Sequence, residues 1–357
     1  MKPRLLVVST VHPADDPRIR HKLIATLQDD WDVTFAGKGR GPVDQTGIRW
    51  VELNGGRFVR WLRSGRLFFG KSFDVASIHD PELLPLAIVA GKLGRTIVFD
   101  VHENVPGQLR TKEWIPRLLR GPLARFAGWM LRVAERQLAI TLAESGYAPL
   151  FAGPHPVFPN YLAGNPPEPR DSDPEIGIVY LGDVTEPRGL AVAVAAVGEA
   201  GVPALTVMGR CAPDFRARLT AIAARTDLDL RFHGFVTPDE ALRITAGADL
   251  GLSPLLDTPN YQRSLPTKVL EYLAVGVPTL ASDLPGTRDV VGDKPGVVLV
   301  PPGDQLAWTE AILSALADPK LRAAARDGIP AILEAYVWPA DGVGKFYADL
   351  ISPAGSS

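Results

Sequence analysis

The chain has 357 residues, 46% of them hydrophobic and 22% charged, with a formal net charge of −2. That composition suits a globular protein long enough for two domains, and excludes a disordered or fibrous chain. The single cysteine, Cys211, excludes an internal disulfide framework and a cysteine zinc site, and no run of about 18 apolar residues exists to span a membrane.

Charge is split along the chain: residues 1–160 carry 22 Lys+Arg against 15 Asp+Glu, and the remainder 16 against 25. A basic first half suits an anionic lipid or polymer, and an acidic second half disfavours nucleic acid as a partner. The N-terminus enters a strand without a signal-peptide cleavage pattern. A cytoplasmic location follows as the expectation, with room for peripheral contact at the inner face of a membrane.

Residues 5–9 form a continuous apolar run, as in the centre of a parallel sheet. The next loop, residues 10–22, leads into a predicted helix over 18–27. Open α/β sheets bind ligands at the carboxyl ends of their strands, so His12, Asp15, Asp16 and Arg18 are candidates to meet a ligand. A plain hydrophilic loop with a helix cap is the alternative. Residues 33–36 and 50–53 read as strands.

Over 56–69, Arg57, Arg60, Arg63 and Arg66 fill one half of a helical wheel, and Phe58, Trp61, Leu62, Phe68 and Phe69 the other. This pattern fits a basic amphipathic helix on a membrane surface, and equally a core-packed helix with arginines reaching outward. Strand 75–78 ends at His79, helix 82–93 follows, and strand 96–101 leads to His102 and Glu103. If the two strands are neighbours, His79 and His102 share one sheet edge. His102, just past its strand, is the candidate to orient a hydroxyl or stabilise developing charge. Residues 112–136 interleave Trp114, Ile115, Leu118, Leu119, Leu123, Phe126, Trp129 and Val133 with arginines, an amphipathic helical stretch expected to break at Gly121-Pro122. Strand 139–142 follows, and the proline-rich segment 163–174 marks a linker.

The second half restarts the same grammar. Strand 176–181 runs into Gly182-Asp-Val-Thr-Glu-Pro-Arg-Gly189 and a helix over 190–200. A glycine-containing loop between strand and helix is a generic phosphate cradle, weak by itself. Further strands are expected at 204–208, 230–232, 249–253 and 296–300, separated by alanine-rich helices.

The most informative stretch is 253–283. Pro266 suits a first helical turn, and Gly276 with Pro278 a helix stop. Val269, Leu270, Leu273 and Ala274 make the buried face, with Lys268 and Glu271 expected to point away from it. The helix start, over Ser264, Leu265, Pro266 and Thr267, favours an anion, and Lys268 adds a full charge. Glu271, one turn on, can accept hydrogen bonds from paired hydroxyls such as a ribose. A site for a sugar nucleotide diphosphate is the specific reading; a solvated helix start is the plain one.

Leu265-Pro-Thr-Lys-Val-Leu-Glu-Tyr-Leu-Ala-Val-Gly-Val-Pro278 resembles the nucleotide-sugar segment of the retaining GT-B enzymes of glycosyltransferase family 4. Val98-Phe-Asp-Val-His-Glu103 is similar to that family's strand-to-loop signature, and the loop at 10–22 to its acceptor-side loop. The resemblance implies an α/β fold of two Rossmann-like, doubly wound parallel-sheet domains facing each other across a cleft. Residues 1–162 would be the acceptor-side domain, with a last helix over 338–352 packing back on it, and 163–337 the nucleotide-sugar domain.

It further implies a metal-independent, cofactor-free, retaining hexosyltransferase using a nucleotide-diphospho-sugar donor. His102 would act at the reaction centre, Arg188 and Lys268 on the leaving diphosphate, and Gly182 and Gly189 in its cradle. Phe235 and Val236 would lie against the nucleobase and Glu271 on the ribose. His12, Asp15, Asp16, Arg18, His79 and Glu103 would face a sugar-type or lipid-linked acceptor. Arg263 stands where many members carry a second glutamate, so contacts to the donor sugar do not carry over. The rival readings are a sugar-nucleotide epimerase, a catalytically inactive sugar-nucleotide-binding scaffold, and a phosphorylase holding pyridoxal phosphate.

Overall fold

A computed structural model describes residues 1–70, 72–111, 115–163, 166–259, 261–262 and 264–352. Trp114, Arg263 and the linker residues Gly164 and Asn165 lie outside the described residues. The chain divides into two compact units, one of Met1–Asn160 with Trp338–Ser357, the other of Tyr161–Val337.

The first unit is built on six strands, β1 (Arg4–Val8), β2 (Asp32–Gly37), β3 (Ile48–Glu52), β4 (Val75–Ile78), β5 (Thr96–Val101) and β6 (Ala139–Leu142). All neighbours pair in parallel, in the order β3-β2-β1-β4-β5-β6. Strands buried on both faces need apolar residues at every position. In β1, Leu6 and Val8 join one core layer, Leu5 and Val7 the other.

A π-helical segment Ile19–Ile24 runs into α1 (Ala25–Leu27) on one face. The opposite face carries α2 (Arg57–Phe69), α3 (Leu84–Lys92) and, after the short α4 (Val105–Thr111), the long α5 (Arg117–Glu135). Contrary to the expected break at Gly121-Pro122, α5 runs through Pro122 without interruption. The carbonyl that Pro122 cannot serve belongs to Leu118, which is 90% exposed, so water can take the missing donor's place.

The second unit repeats the plan with β7 (Ile178–Leu181), α6 (Leu190–Glu199), β8 (Ala204–Met208), α7 (Pro213–Ala223), β9 (Asp229–Gly234), α8 (Pro238–Thr245), β10 (Leu250–Ser253) and α9 (Thr267–Ala274). It continues through β11 (Thr279–Ser282), α10 (Pro285–Val291), β12 (Val297–Val300), α11 (Gln305–Ala317), α12 (Pro319–Asp327) and α13 (Ile329–Ala335). The strand order is β12-β11-β10-β7-β8-β9, again all parallel. The last helix, α14 (Ala340–Asp349), belongs to the first unit: Val343 and Tyr347 are buried in its core, and Tyr347 donates to Ser77 Oγ at 3.0 Å.

Each sheet therefore reverses direction of strand addition once, between β1 and β4 and between β7 and β10. Loops leaving the carboxyl ends of such a strand pair diverge to opposite faces and leave a crevice, the usual ligand site of this architecture. No helix among the described residues is long and apolar enough to cross a membrane.

Candidate functional site

At the first reversal, two histidines each stand on a buried aspartate. Asp80, just past β4, accepts through Oδ2 from the backbone N–H groups of Thr10 (2.5 Å) and Val11 (3.1 Å) and from Ser9 Oγ (3.0 Å). Its other oxygen lies 2.7 Å from His12 Nδ1. Burial alone would lower the His12 pKa, but the hydrogen bond and charge of Asp80, with Asp16 and Glu103, raise it above the ordinary histidine value. Asp80 moves the other way: burial would raise it, and His12 with the two backbone donors holds it far below the carboxylate range.

Asp100, inside β5, is 4% exposed. Arg18 grips it with two parallel bonds, Nε to Oδ2 at 2.8 Å and Nη2 to Oδ1 at 2.7 Å, while Thr141 donates to Oδ1 at 2.9 Å. His102 Nε2 lies 2.7 Å from Oδ2 and 3.2 Å from His79 Nδ1, and the shorter contact, to a carboxylate that can only accept, places the proton on Nε2. Tyr147 Oη donates to the His102 carbonyl at 2.8 Å and fixes the loop. The His12 and His102 rings meet edge to face, with centroids 5.5 Å apart. Burial, which opposes the charge, is overcome by Arg18 and His102, so Asp100 stays ionised well below the usual range.

The strands β4 and β5 are neighbours, so His79 and His102 do share a sheet edge. His79, however, is 1% exposed and held by Ser77 (3.3 Å) behind His102, and burial above all lowers its pKa. It backs His102 from within, with Nδ1 3.2 Å from His102 Nε2. Arg18 is likewise turned inward, onto Asp100 and the Phe158 carbonyl at 2.7 Å, because a buried carboxylate in a strand requires a buried cation. Asp16 caps the helix start, accepting from the N–H groups of Arg18 (3.0 Å) and Ile19 (3.1 Å), and Asp15 accepts from Val43 N–H at 2.9 Å. Glu103 is exposed.

His79, Asp100 and His102 offer three ligand atoms within 4.8 Å of one another. Both Asp100 oxygens are already engaged by Arg18, and the 2.7 Å separation from His102 is that of a hydrogen bond. A dication there would sit against the Arg18 guanidinium, so the cluster is better described as a proton-linked network than as a metal cage.

At the second reversal, the loop after β7 turns through Gly182 at φ +115° and Gly189 at φ +72°. A Cβ on Gly189 would fall 1.7 Å from the Pro254 carbonyl oxygen, and one on Gly182 would fall 2.9 Å from Arg188 Nη1 and 3.8 Å from Lys268 Nζ. Glycine thus lets the loop bring two cations against bare backbone. Contrary to expectation, Lys268 is buried, 7% exposed, with Nζ 4.0 Å from the centroid of the Tyr180 ring. At the first turn of α9 the side chain leans back toward the β7 edge, and Tyr180 supplies a π face there. Nζ has no hydrogen-bond partner among the described residues. Burial first, then the charge of Arg188, holds its pKa well below the ordinary lysine value.

Glu271, half-buried, follows one turn along α9; Pro266 is buried, and Ser264, Leu265 and Thr267 are half-buried before it. Gly276, at φ +71°, ends the helix as expected. Beside this loop, Arg210 after β8 stacks 4.2 Å over the Phe235 ring after β9, and Val236 packs into the neighbouring core. Arrays of this kind, two cations on a glycine turn beside an aromatic platform, suit a ligand with clustered negative charge and a flat ring.

Asp80, Asp100, Tyr180 and Arg210 were not singled out from sequence. A carboxylate inside the buried strand 96–101 was the available signal for Asp100.

Residues 175–318 match the glycosyl transferases group 1 family. The amylovoran biosynthesis glycosyltransferase AmsK of Erwinia amylovora is 27% identical over 165 residues, 44% of this chain and 39% of that protein, so the similarity spans well under half of that relative. Sucrose-phosphate synthase from Thermosynechococcus elongatus has the same fold, with a TM-score of 0.72 at 17% identity over 99% of this chain and 100% of that one. Anabaena HepE in complex with UDP-glucose gives a TM-score of 0.72 at 14% identity, over 98% of this chain and 99% of that one. The two six-stranded parallel sheets are the two Rossmann-like domains of the GT-B fold, and these similarities support a GT-B glycosyltransferase.

Proposed function

We propose that the chain transfers a sugar from a nucleotide-diphospho-sugar to a hydroxyl acceptor, with retention at the anomeric carbon and without a metal. One observation carries the reading. Lys268 keeps a buried Nζ with no hydrogen-bond partner among the described residues, beside Arg188 on a glycine turn, at the strand ends where this fold takes ligands. A lysine buried in this way holds its charge poorly until an anion completes it, and a diphosphate supplies charge enough for Lys268 and Arg188 together.

In this reading the second unit holds the donor. Arg188, Lys268 and the α9 start take the diphosphate, Glu271 the ribose and Phe235 the base. The first unit presents the acceptor to His12 and His102, with Asp100 fixing the His102 tautomer and the Asp80 carboxylate holding a negative charge 2.7 Å from His12 Nδ1. As the anomeric C–O bond to phosphate breaks, charge grows on the leaving oxygen, and the two cations stabilise it more than the ground state. The acceptor oxygen bonds to the same face of the anomeric carbon and its proton passes to the departing diphosphate. HepE was solved with UDP-glucose, which makes that hexosyl donor the first to try. A glycolipid, a polysaccharide and a small natural product are the acceptor classes that fit.

The test is thermal denaturation with a panel of nucleoside diphosphates and their sugars, on wild type and Glu271→Ala. Selective stabilisation by one nucleotide, lost in the variant, is the expected result. If no nucleotide stabilises the protein, the donor reading fails and the inactive scaffold replaces it.

A further inference from the structure

Helices α2, α3 and α5 lie side by side on one face of the first sheet, burying Phe68, Leu84, Ile88 and Leu131 in a common core. Their outer surfaces are not polar. Phe58, Leu62 and Phe69 on α2 are 69%, 49% and 46% exposed, and on α5 Leu118, Phe126 and Trp129 are 90%, 58% and 56% exposed. On α3, Val89 is exposed, with Leu93 just beyond its end. Along α5, Leu118, Pro122, Phe126 and Trp129 follow the spacing of one helical stripe, opposite the buried Ala124 and Leu131. A monomer that left such a continuous apolar face in water would carry an aggregation liability.

Among the described residues, the exposed charge on α2 and α5 has one sign. Helix α2 has Arg57, Arg60, Arg63 and Arg66 and no acid, and α5 has Arg117, Arg120, Arg125 and Arg132 with one acid, Glu135. Glu135 is not part of the surface field, because its carboxylate accepts from the N–H groups of Ala152 and Gly153 (2.9 and 2.8 Å). Arg57 and Arg60 are also engaged, Arg57 with Glu82 and Arg60 with the Thr10 carbonyl at 3.0 Å. That leaves Arg63, Arg66, Arg117, Arg125 and Arg132 exposed around the apolar side chains.

We infer that this three-helix face docks on an anionic lipid bilayer. Leu118, Phe126 and Trp129 would enter the headgroup–acyl boundary, and the exposed arginines would pair with lipid phosphates. Aromatic rings at the boundary and arginines on lipid phosphate are what an in-plane amphipathic surface requires. The membrane contact expected of 57–69 alone is thereby widened: α5 supplies the larger apolar share, and α2 supplies Phe58, Leu62 and two free arginines. The inference stands apart from the sugar-transfer reading, since no donor enters it.

Vesicle co-sedimentation of the full chain tests it, with phosphatidylglycerol-containing vesicles against pure phosphatidylcholine. The wild type is expected to sediment with the anionic vesicles and to be released by salt. L118S/F126S/W129S should lower binding at least tenfold, and R63E/R66E/R125E should remove the preference for anionic lipid. All six side chains are exposed, so both variants should keep the wild-type melting temperature. As a second readout, brominated acyl chains should quench wild-type tryptophan fluorescence more than that of W129F. Failure of the wild type to bind either vesicle, or equal binding by the serine variant, overturns the inference. A wild-type dimer in sedimentation velocity that the serine substitutions dissociate also overturns it, because a second copy would then be the occupant.

Discussion

Lys268 Nζ lies 4.0 Å from the centre of the Tyr180 ring and has no hydrogen-bond partner among the described residues. Neither a π face nor burial satisfies its N–H donors, so the fold is less stable for keeping the lysine than it would be with an apolar side chain.

Lys268→Met should therefore separate stability from binding. The melting temperature is expected to stay level or rise, while affinity for the nucleoside diphosphate falls about 10–100-fold, as for loss of a hydrogen bond to a charged group. The proton balance gives a second signature. Burial and Arg188 depress the Lys268 pKa in the free protein, and a bound diphosphate raises it, so binding takes up a proton and affinity declines as pH rises. The same depression means that the unfolded chain binds the extra proton, so stability rises with pH between the folded value and 10.5. Calorimetry in buffers of different ionisation enthalpy should show proton uptake in wild type and none in Lys268→Met; no uptake in wild type would count against the role given to Lys268.

At the other reversal point, Asp80 should control His12. The folded His12 pKa lies above 6.5, so its contribution to stability is complete below 6.5 and is lost as pH rises through the folded value. Asp80→Asn leaves burial opposed only by the charges of Asp16 and Glu103, and the His12 midpoint followed by proton NMR should drop. Stability near pH 6 should fall by about 1–3 kcal/mol, since Asp80 also anchors the Thr10 and Val11 N–H groups. An unchanged His12 midpoint would break the link.

Sequence patterning reached most of the sheet plan and less of the site. Apolar runs such as residues 5–9 and 176–181 mark parallel strands because burial on both faces leaves no alternation to hide them. Pro122 was misleading because its cost depends on where the orphaned carbonyl points, which only the exposure of Leu118 shows. Helical periodicity put Lys268 on the outer face, and it does not record that Tyr180 of a distant strand encloses it. His12 and His102 were legible as loop histidines at strand ends, but their aspartates were not, because Asp80 and the cation of Asp100, Arg18, meet their partners roughly 70 to 80 positions away in the chain.

The glycine turn after β7 gives a contrast between two substitutions. Gly189 and Gly201 share a positive φ, +72° and +69°, so alanine at either incurs the left-handed strain of about 1–2 kcal/mol. Only at Gly189 would the new Cβ meet backbone, the Pro254 oxygen at 1.7 Å, while nothing lies within 4 Å at Gly201. Gly189→Ala should lose at least about 2 kcal/mol more than Gly201→Ala in urea unfolding, as an overpacked site does. It should also lose nucleotide stabilisation, because the turn carrying Arg188 must move. Equal costs at the two sites would show that the Pro254 contact yields without strain.

Asp100 serves two masters, and its variants should divide them. Removing its cation with Arg18→Met leaves a carboxylate deep in β5, and the loss should approach the 3–5 kcal/mol of a broken buried pair, roughly. His102 and Thr141 remain on the carboxylate and hold the loss toward the lower end. Because the folded Asp100 pKa is depressed, its stabilisation is present above the unfolded value of about 4 and disappears as pH falls through the folded one; Arg18→Met should shift acid unfolding to higher pH. Asp100→Asn keeps the shape, at a stability cost because the buried Arg18 loses its counter-charge, and disturbs His102: the amide can donate to Nε2, so the ring proton can move to Nδ1. Turnover is then expected to fall about 10²–10³-fold, the span for losing one preorganised polar contact to developing charge, while nucleotide affinity, set by the second unit, stays near wild type. A fall in affinity matching the fall in turnover would mean that Asp100 supports the fold and does not orient His102 for chemistry.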